Sequence, residues 1–161
     1  MSEKKPMDPK DALRRAAALC SRQEQSSGDI RRKLDSWGVD PGEHDQILEQ
    51  LRKENFVDDE RFARMFARDK FRFNRWGKVK IRHALRQRGI GSSAAEAAFS
   101  QIGPEEYLEA CMELAGQKAR SVKDTDPFIR RGKLFRYLSG RGFEPEIIGK
   151  ALNRLEMPEE P

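Results

Sequence analysis

An all-α chain, built as a tandem array of three three-helix repeats, is the fold this sequence predicts, and three observations predict it. First, one pattern recurs three times, in "IRRKLDSWGV", "IRHALRQRGI" and "LFRYLSGRGF". It aligns Ile30, Leu34, Gly38 and Val39 with Ile81, Leu85, Gly89 and Ile90 and with Leu134, Leu138, Gly142 and Phe143, at spacings of 51 and 53 residues. Second, strand signals are nearly absent: there is no period-2 alternation and no Asn-Gly turn, while helical periodicity runs throughout. Third, the chain is 37% hydrophobic and 37% charged, with a mean hydropathy of -0.86. That is too little apolar material for one thick core, and it suits thin-cored modules in an elongated or curved row.

The elements follow in order. A stretch without structure is expected at 1–8, and Asp8 or Asp11 leads into a first helix ending near Gln23. Ser26 or Ser27 caps a second helix to Trp37, and a third runs from Gly42 to Glu54, which makes repeat one 9–56. Repeat two (57–102) has helices over Asp59–Phe73, Lys78–Arg88 and Ser93–Ile102. Repeat three (103–156) opens at Pro104, with a helix to Arg120. Asp126-Pro127 then caps and starts a helix to Ser139, Pro145 starts the last helix, and 157–161 is a tail with no reason to fold. Each repeat's glycine marks a helix stop. Only glycine takes a positive φ there without a Cβ penalty, and the next residue packs back on the leucine, as Val39 on Leu34, Ile90 on Leu85 and Phe143 on Leu138.

Charge is segregated. From Arg61 to Arg88 there are eleven Lys or Arg against one acid, Asp69. Upstream, from Asp40 to Glu60, eight acids face two bases, and downstream, from Glu96 to Glu113, five acids face none. Charge placed only for solubility would be mixed, so a directed surface is expected, fit for phosphates, an acidic protein face or a partner carrying both signs. On the helix after Asp58, the 100° stripe of Phe62, Met65, Phe66 and Phe73 is expected to be buried. Phe71 falls instead on the line of Arg64, Arg68 and Arg75, where it either packs on a neighbouring repeat or serves as a stacking residue in a basic wall. The expected contact surface is therefore Arg61, Arg64, Arg68, Phe71, Arg75, Lys78, Lys80, Arg82 and Arg86. The opening acids Asp58, Asp59 and Glu60 invite a Mg2+ nuclease reading, but a cap with two acids in the first helical turn explains them better.

No phosphate loop, spaced Ser-His-Asp set or HEXXH occurs, so a non-enzymatic binding protein without cofactor or metal is expected. Net charge is +5 and the isoelectric point about 9.4, which favours a polyanionic partner. Cys20 and Cys111 sit inside apolar helical patterns and read as core residues of a reducing compartment. The N-terminal segment lacks the apolar core of a secretory signal, so the expectation is cytoplasmic, away from any membrane.

The residues also resemble a known family. The pattern from Ser26/Ser27 to Val39, "NFVDDERFA" from Asn55 to Ala63, and Gly77 to Ile90 are similar to the RecX family, and the likeness spans roughly Ala12 to Leu155. The resemblance implies a modulator that binds the RecA nucleoprotein filament in its groove and inhibits its ATPase and strand-exchange activities. It would touch protein and DNA, single-stranded DNA in preference, and act as a monomer. Asp58, Asp59, Arg61, Phe62 and Ala63 carry over as the family motif, with Arg61 placed to reach a partner. One departure is that Gly77-Lys78 stands where the family commonly has Gly-Pro. The rival expectation is a free-standing single- or double-stranded nucleic-acid-binding protein.

Overall fold

A computed structural model describes residues 5–156, and the expectations for 1–4 and 157–161 lie outside the described residues. Among the described residues there are nine helices and no strand: α1 (Pro9–Arg22), α2 (Ser27–Ser36), α3 (Pro41–Lys53), α4 (Asp59–Arg72), α5 (Lys78–Gln87), α6 (Ser92–Phe99), α7 (Pro104–Ala119), α8 (Pro127–Gly140) and α9 (Pro145–Glu156). They pack in consecutive threes, each helix touching the other two of its own group. The fold is an all-α array of three-helix modules.

Local chemistry sets the helix starts. Asp8, Ser26, Asp40, Asp58 and Asp126 each accept a hydrogen bond from a backbone N–H in the first turn of the helix that follows. Residues 5–8, expected to be unstructured, instead run along the first module. The Met7 N–H donates to the Trp37 carbonyl at 3.2 Å, and Met7 packs on that module's core. The repeat glycines close the second helices. Gly38, Gly89 and Gly142 have φ of 75°, 79° and 97°. The following N–H groups of Val39, Ile90 and Phe143 reach back to the carbonyls of Leu34, Leu85 and Leu138 at 3.0, 3.0 and 3.2 Å.

The modules then stack through these second helices. The C-terminus of α8 meets the N-terminus of α5, where the N–H groups of Gly77 and Val79 donate to the Arg141 and Gly142 carbonyls at 2.8 and 3.0 Å. The C-terminus of α5 likewise meets the N-terminus of α2, where the Ser26 hydroxyl donates to the Arg88 carbonyl at 3.0 Å. Orphan donors of one helix thus satisfy orphan acceptors of the next, with the helix dipoles aligned head to tail. This contact is why Gly77 needs no capping side chain. Lys78 also uses an N–H that proline would lack, donating to the Tyr107 hydroxyl at 2.9 Å.

On α4 the structure decides one open expectation and reverses another. Of the two roles open to Phe71, packing on a neighbouring repeat is the one seen. It is 2% exposed and packs against Tyr107 of the third module, 5.7 Å between ring centroids, so it is not a stacking residue of an exposed basic wall. Phe73, expected inside, is 81% exposed. Phe73 is the C-cap, past the last residue of α4, so the buried Phe62–Phe66 stripe ends before reaching it. Ala63 and Ala67 are fully buried and let α6 approach α4 closely, which widens the buried face from the Phe62–Phe66 line round to Phe71.

Candidate functional site

Long-range partners sort the cations of the central module. Arg61 is held in place, its guanidinium donating to both Glu24 oxygens at 2.7 and 3.2 Å and to the Asn55 carbonyl at 3.1 Å. The Glu24 hydrogen bond raises its pKa further. Arg75 pairs with Glu113 at 3.2 Å, Arg82 with Glu96 at 2.8 Å, and Arg72 with Glu106 at 3.6 Å. Arg68 lies beside its own neighbour Asp69 at 3.5 Å. Arg64 and Arg86 are exposed and have no ion-pair partner among the described residues. Three of the five acids in the downstream negative block therefore neutralise central cations, and what looked like a single-sign strip divides into paired and free charges.

The opening acids also have partners. Asp58 accepts from the Arg61 N–H at 3.0 Å as the cap of α4. Asp59 accepts from the Ser27 N–H and hydroxyl at 2.8 and 2.5 Å, tying α4 to the start of α2. Among the described residues no group of three His, Cys, Asp or Glu side chains converges as metal ligands would, and no helix is long and apolar enough to cross a membrane.

A different constellation assembles across the joint of the first two modules. A groove of about 600 Å³ runs between α2 and α4, lined by Arg32, Lys33, Phe62, Phe66, Lys70 and Arg88 among others. It continues into a recess of about 360 Å³ that adds Trp76. The aromatic rings form its floor and the cations lie over them. The Arg88 guanidinium is 5.6 Å from the Phe62 ring and 5.1 Å from the Phe66 ring. The Lys70 and Lys80 ammoniums are 4.9 and 4.6 Å from the Trp76 ring. Acids at the rim already have partners, Asp29 with Arg88 at 2.9 Å and Glu24 with Arg61.

Backbone geometry places Trp76. Arg75 closes α4 with a φ of 56°, a conformation most residues avoid. The turn it makes lets the Trp76 N–H reach the Lys70 carbonyl at 3.1 Å, which brings the indole back over the helix end. Asn55 closes α3 in the same way, with a φ of 62° and the Phe56 N–H on the Leu51 carbonyl. Sequence reasoning passed over Lys70, Trp76, Arg32, Lys33 and Arg88. The one signal on the page was Trp76 between Lys70 and Lys80, and no single-helix periodicity joins those three.

An array of three-helix modules with a cation–aromatic groove across one joint defines a helical tandem-repeat protein. Comparison with known proteins narrows this class. The family descriptions "RecX, second three-helix domain" and "RecX, third three-helix domain" match residues 58–98 and 105–152. The regulatory protein RecX of Prosthecochloris aestuarii is 35% identical over 148 residues, 92% of this chain and 95% of that protein. The one from Clostridium acetobutylicum is 32% identical, over 89% of this chain and 68% of its own length. A crystal structure of a regulatory protein RecX superposes with a TM-score of 0.83 at 27% identity, covering 90% of this chain and 73% of that one. RecX from Lactobacillus salivarius shares the fold, with a TM-score of 0.85 at 20% identity over 92% and 96% of the two chains. The chain belongs to the RecX family of regulatory proteins.

Proposed function

We propose that this protein is a non-enzymatic modulator of the RecA recombinase. It binds along the RecA nucleoprotein filament in the cytoplasm as a monomer, contacts both protein and DNA, and lowers ATPase and strand-exchange activity. Family membership supports the partner. The observation that carries the DNA contact is the groove between the first two modules, where Lys70, Lys80 and Arg88 lie over aromatic rings. Cations track a phosphate backbone, and the half-buried Trp76 indole offers a ring to an unstacked base, with Phe62 and Phe66 buried beneath. Single strands are bound by such pairings without sequence readout. Arg64, Arg68 and Arg86, exposed on the same module, supply further charge toward the filament.

The deciding experiment measures RecA ATPase on single-stranded DNA with increasing amounts of this protein. Turnover is expected to fall, and unchanged turnover at saturation would overturn the reading. Lys70→Glu is expected to weaken inhibition while leaving the melting temperature within a few degrees. Trp76→Phe, which keeps an aromatic against the core, is expected to weaken it less than Trp76→Ala.

The same groove also favours a second reading, a free-standing single-strand binder. Salt separates the two. A pure phosphate binder loses affinity with a log–log slope near about -0.7 per phosphate neutralised. A filament binder keeps its recombinase affinity at salt that removes it from naked DNA.

A further inference from the structure

The head-to-tail stacking leaves one joining face unused, at the start of α8. In the first module Gly28, ten residues before Gly38, lies directly under the next module. A Cβ there would stand 2.1 Å from the Arg88 carbonyl oxygen. The equivalent residue in the third module, ten before Gly142, is Gly132, and a Cβ there would meet nothing within 4 Å. Helix α8 is also one turn longer than α5, 14 residues against 10, and the added turn carries Phe128 and Ile129.

That terminal face is not the polar surface that ends most repeat arrays. Phe128 is 85% exposed and Ile129 45%. With Gly132, Phe135 and Arg136 they line a notch of about 400 Å³, and residues 128, 132 and 135/136 share one side of the helix. Arg136 also borders a second recess, of about 600 Å³, lined by Lys118, Lys123, Lys133 and the single acid Asp124. Lys133 is already bound to Asp124.

We propose that this face is a docking site for an acidic amphipathic helix of another protein, its apolar stripe seated in the Gly132 notch and its carboxylates against the neighbouring cations. The apolar strip with a basic flank is complementary to that partner in both shape and sign. A nucleic acid would leave the branched Ile129 without a stacking ring to contact. A lipid surface is flat, so it would not fill the notch.

The site is independent of the groove, and its test uses the full chain. A fluorescent helical peptide with leucines on one face and glutamates elsewhere is titrated by anisotropy. It is compared with a peptide of the same composition with scattered leucines, and with one whose glutamates are lysines. The first is expected to bind at least about tenfold tighter than either control. Phe128→Ser and Arg136→Glu, both at exposed positions, are each expected to weaken it by roughly tenfold, the scale for withdrawing one large apolar or charged contact. Equal binding of the scattered peptide, or unchanged binding by Phe128→Ser, would overturn the proposal. So would a Phe128-dependent association with phosphatidylglycerol vesicles, with an oligothymidylate, or with a second copy of this chain in sedimentation.

Discussion

The two joints of the array use the same stacking of second helices, yet different chemistry holds them. Between modules two and three the centre of the contact is apolar, with the ion pairs of Arg72 with Glu106 and Arg75 with Glu113 at its edge. Phe71, Tyr107 and Phe143 form a continuous ladder, with centroids 5.7 and 5.2 Å apart, and the buried residues of both modules make one core cluster. Between modules one and two the contact is polar: Ser26 to the Arg88 carbonyl, Ser27 to Asp59, Asp29 to Arg88, Glu24 to Arg61. The first module keeps a separate core, from Ala12 to Val57. Hydrophobic burial does not depend on ionic strength in the physiological range, whereas half-exposed ion pairs are screened by salt. With its shared core, the second joint is expected to act as a weld and the first, whose cores are separate, as a hinge on which the cation–aromatic groove lies.

Phe71→Ala gives the largest effect expected of this contrast. It removes the ring that joins the two cores, at a cost of about 3–5 kcal/mol, read as a lower denaturant midpoint for the unit formed by modules two and three. A loss below about 1 kcal/mol would mean the ladder is not what unites them.

The same residue marks how far the sequence could be read. Helix stops and caps were legible because their causes are local. A glycine at positive φ and an Asp or Ser before the first turn act within four or five residues. Periodicity left Phe71 open between packing and stacking because it weighted large rings over Ala63 and Ala67, whose small size decides where α6 approaches. The partners of Arg72, Arg75 and Arg82 lie 14 to 38 residues away, in segments whose proximity only the tertiary fold creates. The groove was hidden for the same reason, since Arg32 and Lys33 come from one module and Lys70, Trp76 and Arg88 from another.

Close backbone contact tests both joints together. A Cβ on Gly77 would lie 2.2 Å from the Gly142 carbonyl carbon, and one on Gly28 would be as close to Arg88. Each glycine-to-alanine change must push two helix ends apart, at roughly 1–3 kcal/mol. Gly77→Ala is expected to cost more, because it strains the weld. Gly28→Ala should open the hinge alone, seen as raised hydrogen exchange around Ser26–Asp29 with the second and third modules still protected. Equal costs would remove the distinction between the joints.

Smaller again are the polar supports. The Tyr107 phenol accepts from the Lys78 N–H and donates to Glu144, and burial pushes its pKa well above the ordinary range, so it stays a donor at any physiological pH. Tyr107→Phe keeps the aromatic ladder but strands both partners, at about 1–2 kcal/mol. Asp59→Ala should cost a similar amount at low salt and less at high salt, whereas the Tyr107→Phe loss should stay constant. Equal salt dependence in chevron or melting data would contradict the assignment of one joint to charge and the other to burial.

The two cysteines supply the finest comparison, because one reports on each unit. Cys20, in the first module, is partly buried and Cys111, in the third, is fully buried. Burial raises both thiol pKa values, that of Cys111 from about 9 to about 12. The thiolate is the reactive form, so Cys111 should resist alkylation at pH 8 until its unit unfolds. The sign of the pH effect follows from the same shift. Above pH 9 an unfolded chain releases the Cys111 proton while the folded chain keeps it. Stability from this group is complete below pH 9 and is lost as pH rises toward about 12. In rising urea at pH 8, Cys20 is expected to be labelled at a lower concentration than Cys111, with the gap widening at high salt as the polar joint weakens. Simultaneous labelling at every salt concentration would show that the first module unfolds with the other two, and that its polar contacts hold it as firmly as the aromatic ladder holds the rest.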